Sequence, residues 1–97
     1  MPEFLTLAKY TTQGLQNIKD APKRAKAFRE AAAKAGVKVK EIRWLSGEYD
    51  VMSLVEAPDE ETAIALSLSL AKQGNLTAIR MRTFNEAEVE KILAKVT

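Results

Sequence analysis

Tyr10, Tyr49, Asp50 and Arg80 are among the side chains with which this chain could do chemistry, because it contains no histidine and no cysteine. Their absence removes disulfides, thiolate nucleophiles, the common zinc sites and histidine-based proton transfer together. Asp, Glu, Tyr, Lys, Arg, Ser and Thr remain. Gly47-Glu48-Tyr49-Asp50 sets a phenol and a carboxylate directly after a turn glycine. Asp50 as a base with Tyr49 or Tyr10 as proton donor is the reaction such residues support, provided burial raises the carboxyl pKa. A nearby arginine would work against it by favouring the ionised carboxylate.

The elements that carry these residues follow from pattern. Val37 to Leu45 and Tyr49 to Glu56 are rich in β-branched, aromatic and aliphatic residues, and only Ser46-Gly47-Glu48 lies between them, which predicts a tight hairpin. Glu3 to Tyr10 reads as a first strand, ended by the turn-prone Thr11-Thr12-Gln13-Gly14. A first helix follows, with Asp20 as N-cap, Pro22 in the first turn, apolar positions at Ile18, Ala21, Ala25, Phe28 and Ala32, and Gly36 as terminator. After Pro58, the acids Asp59, Glu60 and Glu61 favour the positive end of a second helix, which Gly74-Asn75 closes. Its apolar face is Ala63, Leu66 and Leu70, widened by Ile64 and Leu68. Leu76 to Phe84 is a fourth strand. Asn85-Glu86-Ala87-Glu88 has the form of a capping box, with Phe84 set to staple onto Val89 of a short tail helix.

This order of elements predicts one α+β domain over residues 1–97, a ferredoxin-like split βαβ fold (βαββαβ plus a C-terminal helix). Its four-stranded antiparallel sheet should run in the order four, one, three, two. That topology gathers sequence-distant residues at one sheet edge: Tyr10, Thr11, Thr12 and Gly14, then Trp44, Tyr49 and Asp50, then Asn75. The first helix begins on the same side, where its unpaired N–H groups would attract an anion or carboxylate. Arg80 and Arg82 share one face of the fourth strand, from which a guanidinium could reach towards Asp50. Tyr10, Thr12, Trp44, Tyr49, Asp50, Asn75 and Arg80 are therefore the candidate ligand-binding residues; none is assigned a catalytic role, and no metal set is expected. Each also has a plain structural role: Gly47 as a turn residue, Asp50 as a hairpin acceptor, the aromatics as core or interface, the arginines as ion-pair partners.

Both sheet faces are partly apolar, yet the two main helices cover only one, so the other needs a lid. A second subunit, or the tail helix with Val89, Ile92, Leu93 and Val96, could supply it. Phe4, Ala8, Val51 and Val55 are candidates for that surface; Leu5, Leu7, Met52 and Leu54 are the opposite choice.

The chain has a net charge of +2, unevenly spread: Lys19 to Arg43 holds nine basic residues against three acids, and the remainder six against ten. Lys23, Arg24, Lys26, Arg29 and Lys34 are expected on the solvated face of the first helix. No run of apolar residues is long enough to span a membrane, and Glu3 interrupts any leader pattern, so a cytoplasmic protein is expected.

Gly47-Glu48-Tyr49-Asp50, together with Lys9-Tyr10-Thr11-Thr12-Gln13-Gly14, Glu56-Ala57-Pro58-Asp59 and Gly74-Asn75 leading to Arg80-Met81-Arg82-Thr83-Phe84, resembles the GYD domain family. These are small prokaryotic proteins named for a Gly-x-Tyr-Asp type motif, and the likeness covers nearly the whole chain. The resemblance implies a ferredoxin-like domain in a dimeric α/β-barrel-like assembly and brings no catalytic residues with it. The leading expectation is an oligomeric small-molecule-binding or regulatory domain, partnered by itself as a homodimer or higher homo-oligomer and using no cofactor. A cofactor-independent enzyme of dimeric α/β-barrel type, using Asp50 and Tyr49, is the alternative. RNA binding is disfavoured, because Glu48 and Asp50 stand where an RNA-recognition signature needs neutral or basic residues.

Overall fold

The computed structural model describes residues 1–97. Its elements are β1 (Glu3–Tyr10), α1 (Thr12–Gln16), a 3-10 turn (Ile18–Asp20), α2 (Ala21–Lys34), β2 (Lys38–Trp44), β3 (Val51–Glu56), α3 (Glu60–Ala71), β4 (Leu76–Thr83) and α4 (Glu86–Leu93). The strands form one four-stranded antiparallel sheet in the order β2-β3-β1-β4, the α+β ferredoxin-like arrangement expected from the sequence. No helix is long and apolar enough to cross a membrane.

Local chemistry sets the element ends. The Asp59 carboxylate accepts the Thr62 amide at 2.7 Å and starts α3. Asn85 and Glu88 form the complete capping box that opens α4, each side chain accepting the other's backbone amide, at 2.8 and 3.1 Å. Gly36, with φ +76°, ends α2 in the left-handed conformation that a side chain would disfavour. Two boundaries differ from expectation. Thr11 caps a short helix instead of a turn, its hydroxyl accepting the Gly14 amide at 3.1 Å. The β2–β3 connection is longer than a tight hairpin, because β3 begins at Val51 and Leu45 to Asp50 forms the loop.

The side chains of β1 divide cleanly by parity. Phe4 and Ala8 face the helices, and Phe4 joins a core with Ala32, Val37, Val55, Ala57 and Ala63, against which Phe28, Val39 and Leu66 pack. Alanines on α2 let that helix sit close to the sheet. Phe4, Ala8 and Val55 are only 2%, 3% and 5% exposed, so they lie beneath the helices and are not the lid-requiring surface. Val51 follows them, standing opposite Ala8 and beside Ala21 and Phe28. The uncovered face carries Leu5, Leu7, Met52 and Leu54, extended across β4 by Ile79 and Met81.

The tail helix does not close that face. α4 packs extensively against no other element, and Val89, Ile92, Leu93 and Val96 are 38–68% exposed. The molecule measures 51 × 31 × 19 Å with a radius of gyration of 14.7 Å. A compact chain of this length would give about 12.5 Å. What fixes α4 is its first turn, where Arg82 donates to Glu88 at 2.9 Å and lies 4.4 Å from the Phe84 ring centre. Those contacts hold Glu88 below the ordinary carboxylate pKa, the Arg82 hydrogen bond first and the Asn85 amide second.

Candidate functional site

The carboxyl end of β1 is where the sheet gathers its polar residues. β3 starts opposite Ala8, so it offers Tyr10 no backbone acceptor on that side. Asp50 fills the gap. Its Oδ2 accepts the Tyr10 amide at 2.9 Å, its own amide donates to the Ala8 carbonyl at 2.9 Å, and its carbonyl accepts the Leu45 amide at 2.8 Å. Asp50 thereby staples the loop to the strand end, a use of the carboxylate that keeps it an acceptor.

A second knot joins β1 to β4. The Thr11 hydroxyl donates to the Gly74 carbonyl at 2.6 Å, and the Thr11 amide donates to the Asn75 carbonyl at 3.1 Å. Gln13 Nε2 donates to the Gln73 carbonyl at 2.9 Å and to Asn75 Oδ1 at 3.2 Å. Gly14 is buried here, and a Cβ on it would overlap the Asn75 carbonyl. Its presence reflects this close approach.

The aromatic residues separate onto the two faces. Tyr10 and Trp44 lie on the helix side, where Trp44 Nε1 donates to the Tyr10 hydroxyl at 2.9 Å. Tyr49 lies on the open side with Leu7, Thr77 and Ile79, and the Lys9 ammonium sits 5.2 Å from its ring centre. Of the residues singled out from sequence, Tyr10, Trp44, Asp50 and Asn75 come together at this end. Tyr49 adjoins them from the opposite face, and Thr12 is exposed in the first turn of α1. Arg80 stands opposite Thr6 in mid-strand, and no hydrogen bond or ion pair joins it to Asp50.

Sequence patterning missed Arg24, Thr6 and Ser53. Beside Tyr10 and Trp44 a cleft opens between the sheet and α2, and these three residues line it with Phe28 and Leu70. Arg24 was expected on the solvated face of α2, but it turns inward. The signal was present: Arg24 is three residues after Ala21 and four before Phe28, on the apolar stripe itself.

The sheet order, the helix layer and this knotted strand end define a small ferredoxin-like α+β domain. The chain belongs to the GYD domain family, whose model matches residues 4–93. It is 29% identical over 90 residues to a protein of Thermus thermophilus named glutamine synthetase and cystathionine beta-lyase binding protein, covering 92% of this chain and 95% of that one. Among solved structures it is similar to TTHA0845, also from Thermus thermophilus, with a TM-score of 0.56 and 20% identity over 88% of this chain and 95% of the other. The C-terminal domain of the MgtC protein from Mycobacterium tuberculosis gives a TM-score of 0.53 at 10% identity, over 84% and 86% of the two chains. These two likenesses concern the fold.

Proposed function

We propose that this protein is a non-catalytic, homodimeric binding domain that attaches to a partner enzyme and carries a small-molecule site of its own. The observation that supports this most is the open sheet face. Leu5, Leu7, Met52, Leu54, Ile79 and Met81 form one apolar surface that neither the main helices nor α4 covers. Burying such a surface against a second copy stabilises a small domain by about 25 cal/mol per Å² of apolar area. The exposed apolar side of α4 would then lie within reach of the second subunit.

The relative named for binding glutamine synthetase and cystathionine beta-lyase supports the choice of an enzyme as partner. The enzymatic alternative loses ground, because Asp50 borders none of the cavities in which a substrate could meet it, and Tyr49 lines a separate depression on the open sheet face. RNA binding loses ground as well: the open faces of β1 and β3 present leucines and a methionine where base-stacking needs aromatic rings. Interferometry with the immobilised protein and purified glutamine synthetase or cystathionine beta-lyase from the same organism tests the proposal. Saturable binding to at least one is expected, and no binding to either at micromolar concentration overturns the enzyme-partner reading.

A further inference from the structure

We propose that the cleft between the sheet and α2 binds a small monocarboxylate with an apolar body, the carboxylate on Arg24 and the body against Phe28 and Leu70. The inference rests on the reading of a binding domain with its own small-molecule site and names the class of molecule that the site takes.

The first observation is a lack of filling. Three neighbouring cavities of about 70, 20 and 100 Å³ all border Phe28 and Leu70, along the seam where α2 and α3 diverge over the sheet. Each is open to solvent on one side, so together they form a groove beneath the helices that a small molecule can enter. The buried core instead lies at the opposite end of the sheet, around Phe4, Val37 and Val55.

The second observation is a charge without a partner. Arg24 borders two of these cavities. Its Nη1 donates to the Asn17 carbonyl at 2.9 Å, while its Nη2 is inaccessible to solvent and has no hydrogen-bond partner. A guanidinium nitrogen withdrawn from water without an acceptor is costly, and a turn of the side chain that brings it to the adjoining cavity would let an anion complete its planar fork and remove that cost.

The third observation is the polar floor. Thr6 and Ser53 are register partners on the two central strands and face the helices, where a sealed core would hold aliphatic residues. The Tyr10 hydroxyl oxygen accepts from Trp44, which leaves its proton for an acceptor in the cleft. Three hydroxyl groups that line the same cavity as the guanidinium suit a polar head. Phe28, Leu70, Ala25 and Leu76 suit an apolar body no larger than one ring or a short branched chain.

Charge selects the head group. Arg24 is the sole charged residue lining the cleft, so a monoanion is neutralised there and a phosphate dianion is left half-compensated. A carboxylate also matches the guanidinium fork in two hydrogen bonds.

The test is an NMR titration of the isolated, isotope-labelled protein with phenylacetate, phenylacetamide and inorganic phosphate as separate probes. Phenylacetate is expected to shift the amide signals of Thr6, Phe28, Ser53 and Leu70 saturably. Phenylacetamide should bind about 10–100-fold more weakly, as expected for losing a charge-assisted hydrogen bond, and phosphate should leave these signals in place. Arg24→Met should bind acid and amide alike, and Arg24→Lys, which keeps the charge without the fork, should fall between. Equal binding of acid and amide by the native protein overturns the proposal without recourse to any variant. So do a preference for phosphate, shifts confined to the open sheet face, or silence from all three probes, which means a cleft filled by water alone. No partner enzyme is present, so this result is independent of the interferometry and the two readings can fail separately.

Discussion

The carboxylate of Asp50 accepts the backbone amide of Tyr10 at 2.9 Å, where β3 has not yet begun and offers no backbone acceptor on that side. The final residue of the Gly47-Glu48-Tyr49-Asp50 motif thus completes a sheet edge from a loop. Asp50→Ala removes the acceptor from a half-buried amide, and a loss of about 1–3 kcal/mol in unfolding free energy is expected by urea denaturation. Asp50→Asn keeps a carbonyl oxygen at the same place and should cost less. Equal stability of Asp50→Ala and the native protein would show that the staple is dispensable.

Gly14 faces the Asn75 carbonyl with no room for a side chain. Gly14→Ala should force the α1 segment away from the β4 entry and lower stability by about 1–3 kcal/mol, the range for overpacking. The hydrogen bonds of Thr11 to Gly74 and Asn75 should loosen with it, read as faster amide exchange at Thr11. A neutral substitution would mean that the two segments do not touch in solution.

Acid should release the tail helix. Glu88 is held below its ordinary pKa of 4.5 by the Arg82 hydrogen bond and the Asn85 amide. A group depressed in the folded state adds stability above its unfolded pKa and loses it as pH falls through the folded value. The α4 signals should therefore be constant near neutrality and melt progressively below about pH 4.5. Glu3, depressed chiefly by its hydrogen bond to Lys40, should add to the acid sensitivity at the far end of β1. Glu88→Gln should remove most of the pH dependence of the α4 amides in an NMR titration. An unchanged profile would place their acid response elsewhere.

The fold was legible because its punctuation is local. Asp59, Asn85 with Glu88, and Gly36 act on their own helix ends, and alternation along β1 needs no knowledge of the rest of the chain. The site was legible as a place and less so in its parts. Alternation cannot assign a face to Tyr49, which lies in the loop outside β3, so its separation from Tyr10 and Trp44 depended on tertiary contacts. The loop ran longer than a tight hairpin because Asp50 bonds to β1, a partner 40 residues away in sequence. Arg24 was hidden by its neighbours: within a basic run, its position on the apolar stripe weighed less than its charge. Which sheet face lay open was undecidable from two equally apolar sets; the small residues Ala32 and Ala63 settled it by admitting Phe4.

The binding role assigned to this domain depends on the open sheet face being a contact surface, and molar mass reads that most directly. Light scattering across a concentration series should give twice the 10.7 kDa chain mass. Leu5→Lys, which sets a charge between Leu54 and Met81 in the middle of the surface, should give a folded monomer with an unchanged far-ultraviolet circular dichroism spectrum. A native protein that stays at the single-chain mass at high concentration would contradict the dimer.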